Sequence, residues 1–239
     1  MNKRNDITYV RPADIPAGTR VISKHDFDVV YADPPWDYNQ KGNYGASKHY
    51  GLMTVEEIKA MPVRELVKEN AVLFLWSTNG AMPLALEVLE AWGFKYRSYF
   101  VWCKNNLGLG EPLRNSTEIC LVGIRGRMPS AFRAQMNWGF FPRQDHSHKP
   151  EEMFAIMERL YPHVDYLELF ARRRSSNPHW YIWGNEAEGG SDIYIPGYPV
   201  PEYSGRVEFI PPDDPAPAAA IKPESVAAEA DTPPLKEAA

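Results

Sequence analysis

Short apolar runs separated by polar loops set the pattern of this chain. Val29-Val30-Tyr31-Ala32 reads as a buried strand that ends abruptly at Pro34-Pro35. Ala71 to Trp76, Tyr96 to Cys103, Thr117 to Ile124, Asp165 to Ala171 and Trp180 to Gly184 read as further strands, and Arg20-Val21-Ile22 as a short one. Helical spacing appears between them. Thr54-Val55-Glu56-Glu57 is a capping box that opens a short helix, and Pro62 closes it and starts another turn with Val63, Leu66 and Val67 inward. Asn79 is placed to cap a helix from Met82 to Trp92, with Leu86 and Leu89 on its apolar face and Gly93 at its end. A last helix runs from Glu151 to Tyr161, with Pro150 at its first position and Met153, Ile156, Met157 and Leu160 inward. Strands alternating with helices predict an α/β, doubly wound sheet.

Composition divides the chain. Residues 1–27 are a polar, poorly patterned lead-in, and 28–210 carry the alternating elements of one domain. The segment 211–239 is rich in Pro, Ala and Glu and is expected to be disordered. Its six acids against two lysines hold −4 of the total charge of −5, so the first 210 residues carry only −1. Global charge therefore does not exclude a nucleic-acid partner; local basic clusters decide. With no apolar run of 18 residues and no charged-then-apolar leader, the chain is expected to be soluble, unexported and cytoplasmic, with no membrane partner. Cys103 and Cys120 lie in apolar strand-like runs and without a CxxC pair, so buried reduced thiols are expected rather than a disulfide or zinc site.

The candidate chemistry starts at Asp33-Pro34-Pro35-Trp36. Two consecutive prolines fix their own φ and push the preceding residue toward an extended conformation. Asp33 and the Pro34 carbonyl are thus held just beyond a strand's carboxyl end, the edge where open α/β sheets bind ligands. An exocyclic amine on an aromatic base is a poor nucleophile because its lone pair is delocalised into the ring. A carboxylate and a carbonyl that both accept from the NH2 favour its pyramidal form, and a nearby flat ring such as Trp36 packs on the base. That set suits methylation of an adenine amine.

The loops offer a polyanion surface. Tyr38, Lys41, Tyr44 and Lys48 follow the corner in a long loop, and Lys104, Arg114 and Asn115 lie in the Asn- and Gly-rich segment 104–116. Lysines there suit phosphate and tyrosines suit base stacking, with a solvated surface loop as the alternative for each. Arg125, Arg127, Arg133 and Arg143 alternate with Phe132, Trp138, Phe140 and Phe141. That mixture fits a phosphate-contacting, base-stacking surface, with a core-covering loop as the bland alternative. Lys149 stands before a helix N-terminus, where an ammonium and backbone N–H groups favour a carboxylate. Asn185-Glu186 at a strand end suit the hydroxyls of a ribose diol. His146 and His148 have no Cys or acidic partner at ligand spacing, so no metal site is expected.

Asp33-Pro34-Pro35-Trp36, with Asp37-Tyr38, resembles the signature of the MT-A family of adenine N6-methyltransferases. So do Phe74-Leu75-Trp76, Cys120 to Gly123, His146 to Glu151, Glu168 to Arg172 and Trp180 to Asn185, all in family order. The resemblance covers roughly residues 28 to 186. It implies a Rossmann-like S-adenosylmethionine-dependent methyltransferase fold with permuted motif order, the catalytic corner first and the cofactor half last. It further implies that Lys149 meets the methionine carboxylate, Asp33 the cofactor's amino group, and Asp14-Ile15 the adenine. Glu168, Arg172, Asn185 and Glu186 complete the cofactor set. Family members often carry Gln where Glu186 stands, so this chain keeps an acceptor there and loses an NH2 donor. The segment 104–116 would form a second loop over the site.

The activity expected is methyl transfer to the N6 amine of adenine in nucleic acid. DNA is favoured over RNA because the chain is short, lacks zinc fingers and resembles the compact bacterial and phage members. An RNA adenosine methyltransferase and a non-catalytic nucleic-acid-binding partner subunit are the alternatives. Family relatives pair as dimers, and a homodimer is one expectation.

Overall fold

The central strand shows why this chain folds as a sheet with two covered faces. Phe27–Ala32 (β2) is almost continuously apolar and buried along its length, the pattern of a parallel strand packed on both sides. The structure, a computed structural model, describes residues 15–16, 20–21, 27–37, 52–108, 110–143 and 148–206. Asp14, Tyr38, Lys41, Tyr44, Lys48, His146, most of the lead-in and the segment 211–239 lie outside the described residues.

Six more strands join β2 in one sheet. They are Val67–Ser77 (β3), Lys95–Cys103 (β4), Thr117–Arg125 (β5), Trp138–Phe140 (β6), Tyr166–Leu169 (β7) and Trp180–Trp183 (β8), and the spatial order is β6-β4-β5-β3-β2-β7-β8. β3, β2, β7 and β8 are mutually parallel, β5 runs antiparallel to both β3 and β4, and β6 runs parallel to β4. Arg20–Val21 (β1) pairs in parallel with Ile193–Tyr194 (β9) as a separate two-stranded ribbon. The sheet is thus mixed α/β, with β5 alone running against the other six strands.

Side chains alternate between two cores because successive strand residues face opposite ways. Val30, Ala32, Leu73, Leu75, Leu167 and Leu169 pack with the helices Val55–Lys59 (α1), Val63–Leu66 (α2) and Met82–Ala91 (α3). Val29, Tyr31, Val72, Phe74, Trp76 and Tyr166 pack with the helix Glu152–Leu160 (α4) through Met153, Ile156 and Met157. Each fully buried Leu, Ile or Phe contributes about 1.5–3 kcal/mol relative to exposure. Gly123 admits α3 to the sheet, since a Cβ there would stand 2.9–3.0 Å from Phe94 and Leu89.

Several boundaries differ from the sequence expectation, each for a local reason. The capping box at Thr54 is complete, with the Glu57 N–H donating to Thr54 Oγ1 at 3.2 Å and the Thr54 N–H to Glu57 Oε2 at 2.7 Å. Asn79 does not cap α3. Ala81 takes that position, and its N–H donates to the Thr78 hydroxyl at 3.3 Å. Pro150 lies two residues before α4 rather than inside its first turn, and its carbonyl accepts the Met153 N–H at 3.1 Å. β7 stops at Leu169 because Phe170 has φ +63°, outside any strand conformation. β6, only three residues long, is absent from the sequence expectation and joins the sheet by pairing with β4. Cys103 and Cys120 are free thiols, one half-buried and one buried.

This topology collects one end of the sheet. β2, β3, β7 and β8 end together, and the two antiparallel reversals bring the end of β4, the start of β5 and the end of β6 to the same edge. Asp33, Ser77, Lys104, Glu118, Phe141, Arg172 and Asn185 all stand there.

Candidate active site

Asp33 leaves β2 into a corner that the backbone closes on itself. The Trp36 N–H donates to the Pro34 carbonyl at 2.9 Å, a three-residue turn about Pro35. Met53 then pins the exit, giving its N–H to the Pro35 carbonyl at 2.9 Å and accepting from the Asp37 N–H at 3.0 Å. That turn engages one lone pair of the Pro34 carbonyl, and among the described residues no second backbone donor reaches it. Trp36 is only 4% exposed, packs within the core of α1 and α3, and donates its indole N–H to the Trp76 carbonyl at 3.2 Å. The ring expected to face a base instead forms a wall that fixes the corner.

Charges alternate across the site. Lys149 Nζ lies 2.5 Å from Asp33 Oδ2 and 3.4 Å from Glu118 Oε2, and Lys104 pairs with the other Glu118 oxygen. Both ammoniums lie over indoles, Lys149 at 5.5 Å from the Trp76 ring centre and Lys104 at 4.5 Å from that of Trp102. Burial pushes the Asp33 carboxyl up from its ordinary value, against the pull of Lys149. Burial also pushes on Glu118, but Lys149 and Lys104 outweigh it and hold that group below its ordinary value. Lys104 was expected to meet phosphate; here its ammonium is committed to Glu118. Glu118 itself was missed. Its signal is an acid at the head of an apolar strand, on the same sheet face as Cys120 and Val122.

Glu168 stands beside this group with a different status. It faces the α4 side of β7, opposite Tyr31 across the β2 ladder, and its Oε2 atom is buried without a hydrogen-bond partner among the described residues. Burial first, and the Asp33 charge second, push its carboxyl up to about 8. Tyr31 next to it accepts the Trp76 indole N–H at 2.8 Å, and burial followed by Glu168 raises its hydroxyl well above the ordinary value.

This motif order along one chain is diagnostic, and a family comparison decides it: the MT-A70 family model matches residues 27–186. The chain belongs to the MT-A70 family. It is similar to the N(6)-adenosine-methyltransferase MT-A70-like protein of Arabidopsis thaliana, 35% identical over 171 residues, with 68% of this chain and 24% of that protein covered. It is also similar to the human N(6)-adenosine-methyltransferase catalytic subunit METTL3, 32% identical over 173 residues, 68% of this chain and 28% of that one. The chain thus spans about a quarter of the length of these curated relatives. With the Type II methyltransferase M.MunI of Mycoplasma sp the identity is 29% over 187 residues, covering 69% of this chain and 79% of that protein.

The MT-A70 region holds most of the expected site residues. Arg172, just past Phe170, places Nε 3.1 Å from Glu186 Oε2. Asn185 and Glu186 follow β8 and are both exposed at the same edge. Gly184 lets the two strand ends meet, since a Cβ there would stand 2.5 Å from the Ala171 carbonyl oxygen. Ile15 lies before the matched region, partly buried against the α1–α3 core. Arg114 and Asn115 are exposed, and the Asn115 carbonyl accepts the Gly108 N–H at 2.6 Å.

The basic and aromatic segment is split. Arg125 ends β5 opposite Ala71, at the far edge of the sheet, where its Nη1 donates to the Arg64 carbonyl at 2.7 Å. Arg127 is exposed beyond it, with its N–H on the Asn70 side chain at 2.7 Å. Phe141 stacks on Phe100, while Trp138 and Phe140 are 50% and 61% exposed on the edge strand. His148 Nε2 lies 3.7 Å from Glu151 Oε1, and among the described residues no three metal-binding side chains converge. No helix among the described residues is long and apolar enough to cross a membrane.

Proposed function

We propose that this protein transfers a methyl group from S-adenosylmethionine to the N6 amine of adenine in nucleic acid, with DNA preferred to RNA. The observation that carries the reading is the Asp33–Lys149 pair, 2.5 Å apart at the carboxyl edge of the central strand. Lys149 offers an ammonium to a carboxylate, and Asp33 offers a carboxylate to an ammonium. An α-amino acid zwitterion can therefore replace one internal pair by two external ones without changing the charge of the site. The methionine end of the cofactor has that form, so these residues fit it.

S-adenosylmethionine, when bound, supplies an electrophilic methyl group on a sulfonium. Every other part of the work falls to the chain. Lys149 holds the carboxylate, and Glu118, paired to both lysines, keeps that ammonium in place. Asn185 and Glu186 accept from the ribose hydroxyls. Asp33 and the second lone pair of the Pro34 carbonyl accept from the adenine NH2, draw its lone pair out of the ring and aim it at the methyl carbon. Rate enhancement comes from positioning and from fixed acceptors. An adenine in a duplex must leave the stack to reach this edge.

One resemblance supports DNA. The match to a Type II methyltransferase runs over 79% of that protein, whereas the N(6)-adenosine-methyltransferases of Arabidopsis and human are matched over about a quarter. That breadth of match favours the DNA reading over the RNA one. The test is an assay of purified protein with S-adenosylmethionine on duplex DNA, single-stranded DNA and RNA separately. Products are digested, and N6-methyladenine is measured by mass spectrometry. Methyladenine in DNA with the native chain and none with Asp33→Ala is the expected result. A product only in RNA reverses the polymer preference. Cofactor binding with no product on any polymer points to a partner subunit, and failure to bind the cofactor removes the reading.

A further inference from the structure

Among the described residues, Glu168 is an acid beside this edge that the scheme above leaves unused. It sits on the central part of the sheet, between β2 and β8, and its buried Oε2 has no partner among those residues. An unpaired buried carboxylate is costly, so it is retained where a ligand completes it or where it stays neutral. The groups around it explain its state. Asp33 and Tyr31 face it from β2, Cys120 and Glu118 belong to β5, Lys149 precedes α4, and Arg172 follows β7. Lys149 is taken by Asp33 and Glu118, Lys104 by Glu118, and Arg172 by Glu186. Asp33, Glu118 and Glu168 thus face two ammoniums, Lys104 and Lys149. With Glu168 neutral the group is balanced, and with Glu168 ionised it lacks one positive charge.

We propose that Glu168 is a specificity-determining counter-ion. It ionises when the sulfonium form of the cofactor occupies the site and regains its proton once the neutral thioether product remains. This rests on the cofactor reading above. On binding, the Glu168 O–H bond breaks, its electron pair stays on the carboxylate and one proton leaves to solvent. In the transfer, the amine lone pair forms the N–C bond, the C–S pair goes to sulfur, and the amine sheds one proton. The positive charge at sulfur disappears, and the Glu168 carboxylate then takes up one proton. A cycle therefore releases one proton overall. Glu168 favours the charged substrate cofactor over the uncharged product, which promotes product exchange. The raised carboxyl value at this residue puts the change within the neutral range.

The test is titration calorimetry of the full chain near pH 7 with S-adenosylmethionine and, separately, S-adenosylhomocysteine. Each is run in two buffers of different ionisation enthalpy so that the proton count is read directly. About one proton released with the sulfonium ligand and none with the thioether is expected. The sulfonium affinity should rise up to about tenfold per pH unit below the Glu168 value, and the thioether affinity should stay flat. Glu168→Gln should abolish the proton release and cost the sulfonium ligand more affinity than the thioether. Equal proton release with both ligands, or release that persists in Glu168→Gln, overturns the proposal. So does binding of the sulfonium with no proton released, which leaves the cofactor reading intact. Failure of the native chain to bind either ligand removes that reading and this inference together. The comparison of two ligands on the native protein stands whether or not the variant folds.

Discussion

Two carboxylate clusters in this molecule, one around Asp192 and one around Asp33, serve opposite ends. Asp192, before β9, is fully buried and completely satisfied. Arg174 Nη1 donates to its two oxygens at 2.8 and 2.6 Å, the Ser204 hydroxyl at 2.5 Å, the Ile182 N–H at 3.1 Å and Arg206 Nη1 at 3.3 Å. Arg174 also donates to the Gly190 and Glu188 carbonyls at 3.0 and 3.3 Å, which ties the turn after β8 in place. The Asp33 corner is the reverse. One lysine serves two acids, and Glu168 beside them has a buried oxygen with no partner among the described residues. A carboxylate saturated by its own chain holds structure. One left short of donors at the open edge of a sheet is arranged for something that arrives from outside.

The largest effect that separates the two clusters is on turnover. Asp33→Ala should lower kcat at least about 10³-fold, on the order of 4 kcal/mol, by removing an acceptor aimed at the reacting amine. Its thermal unfolding should stay near native, because Lys149 keeps Glu118 at 3.4 Å. Asp192→Ala should show the reverse pattern. Leaving Arg174 and Arg206 without their buried acceptor should cost about 3–5 kcal/mol of stability. Denaturant unfolding and single-turnover kinetics at low temperature read both. Equal stability losses in the two variants would erase the distinction between the clusters.

The next test sharpens it by pH. A Glu whose folded value is raised is favoured in the folded protein while protonated. Its contribution is therefore fully present below its ordinary value of 4.5 and is lost as pH rises through about 8. Native stability should thus fall from about pH 5 to 8 relative to Glu168→Gln, with a slope of up to about 1.4 kcal/mol per pH unit. Parallel curves for native and variant would show that Glu168 is not held neutral.

Much of the fold was legible because local chemistry agreed with the final packing. Val29 to Ala32 could only be a buried strand, and Thr54 with Glu57 could only begin a helix. Asp33, Lys149, Arg172 and Asn185 were legible through motif order, and the sheet brings them to one edge although 152 positions separate the first from the last. What escaped depended on tertiary context. Glu118 carries no signature of its own, because its importance arises from two lysines that reach it from different loops. β6 is three residues long and owes its strand conformation to β4. Phe170 ends β7 with a backbone conformation that its side chain does not announce. Asp192 lies beyond the matched region, and its two arginines stand 18 positions before and 14 after it.

The smallest effect concerns Trp36, where sequence and structure assign different jobs to one ring. As a wall, Trp36 should matter through packing and its single hydrogen bond to the Trp76 carbonyl. Trp36→Phe should then cost about 1–2 kcal/mol, made of a lost hydrogen bond near 1 kcal/mol and a small cavity. That corresponds to a fall in Tm of roughly 2–8 °C for a domain of this size. kcat and the KM for nucleic acid should move no more than a few-fold. A stacking surface would give the opposite result, with unchanged Tm and a KM raised about tenfold, because stacking on one base contributes about 1–3 kcal/mol. Measuring Tm and KM on the same preparation decides between them. The 4% exposure of the ring favours the first outcome.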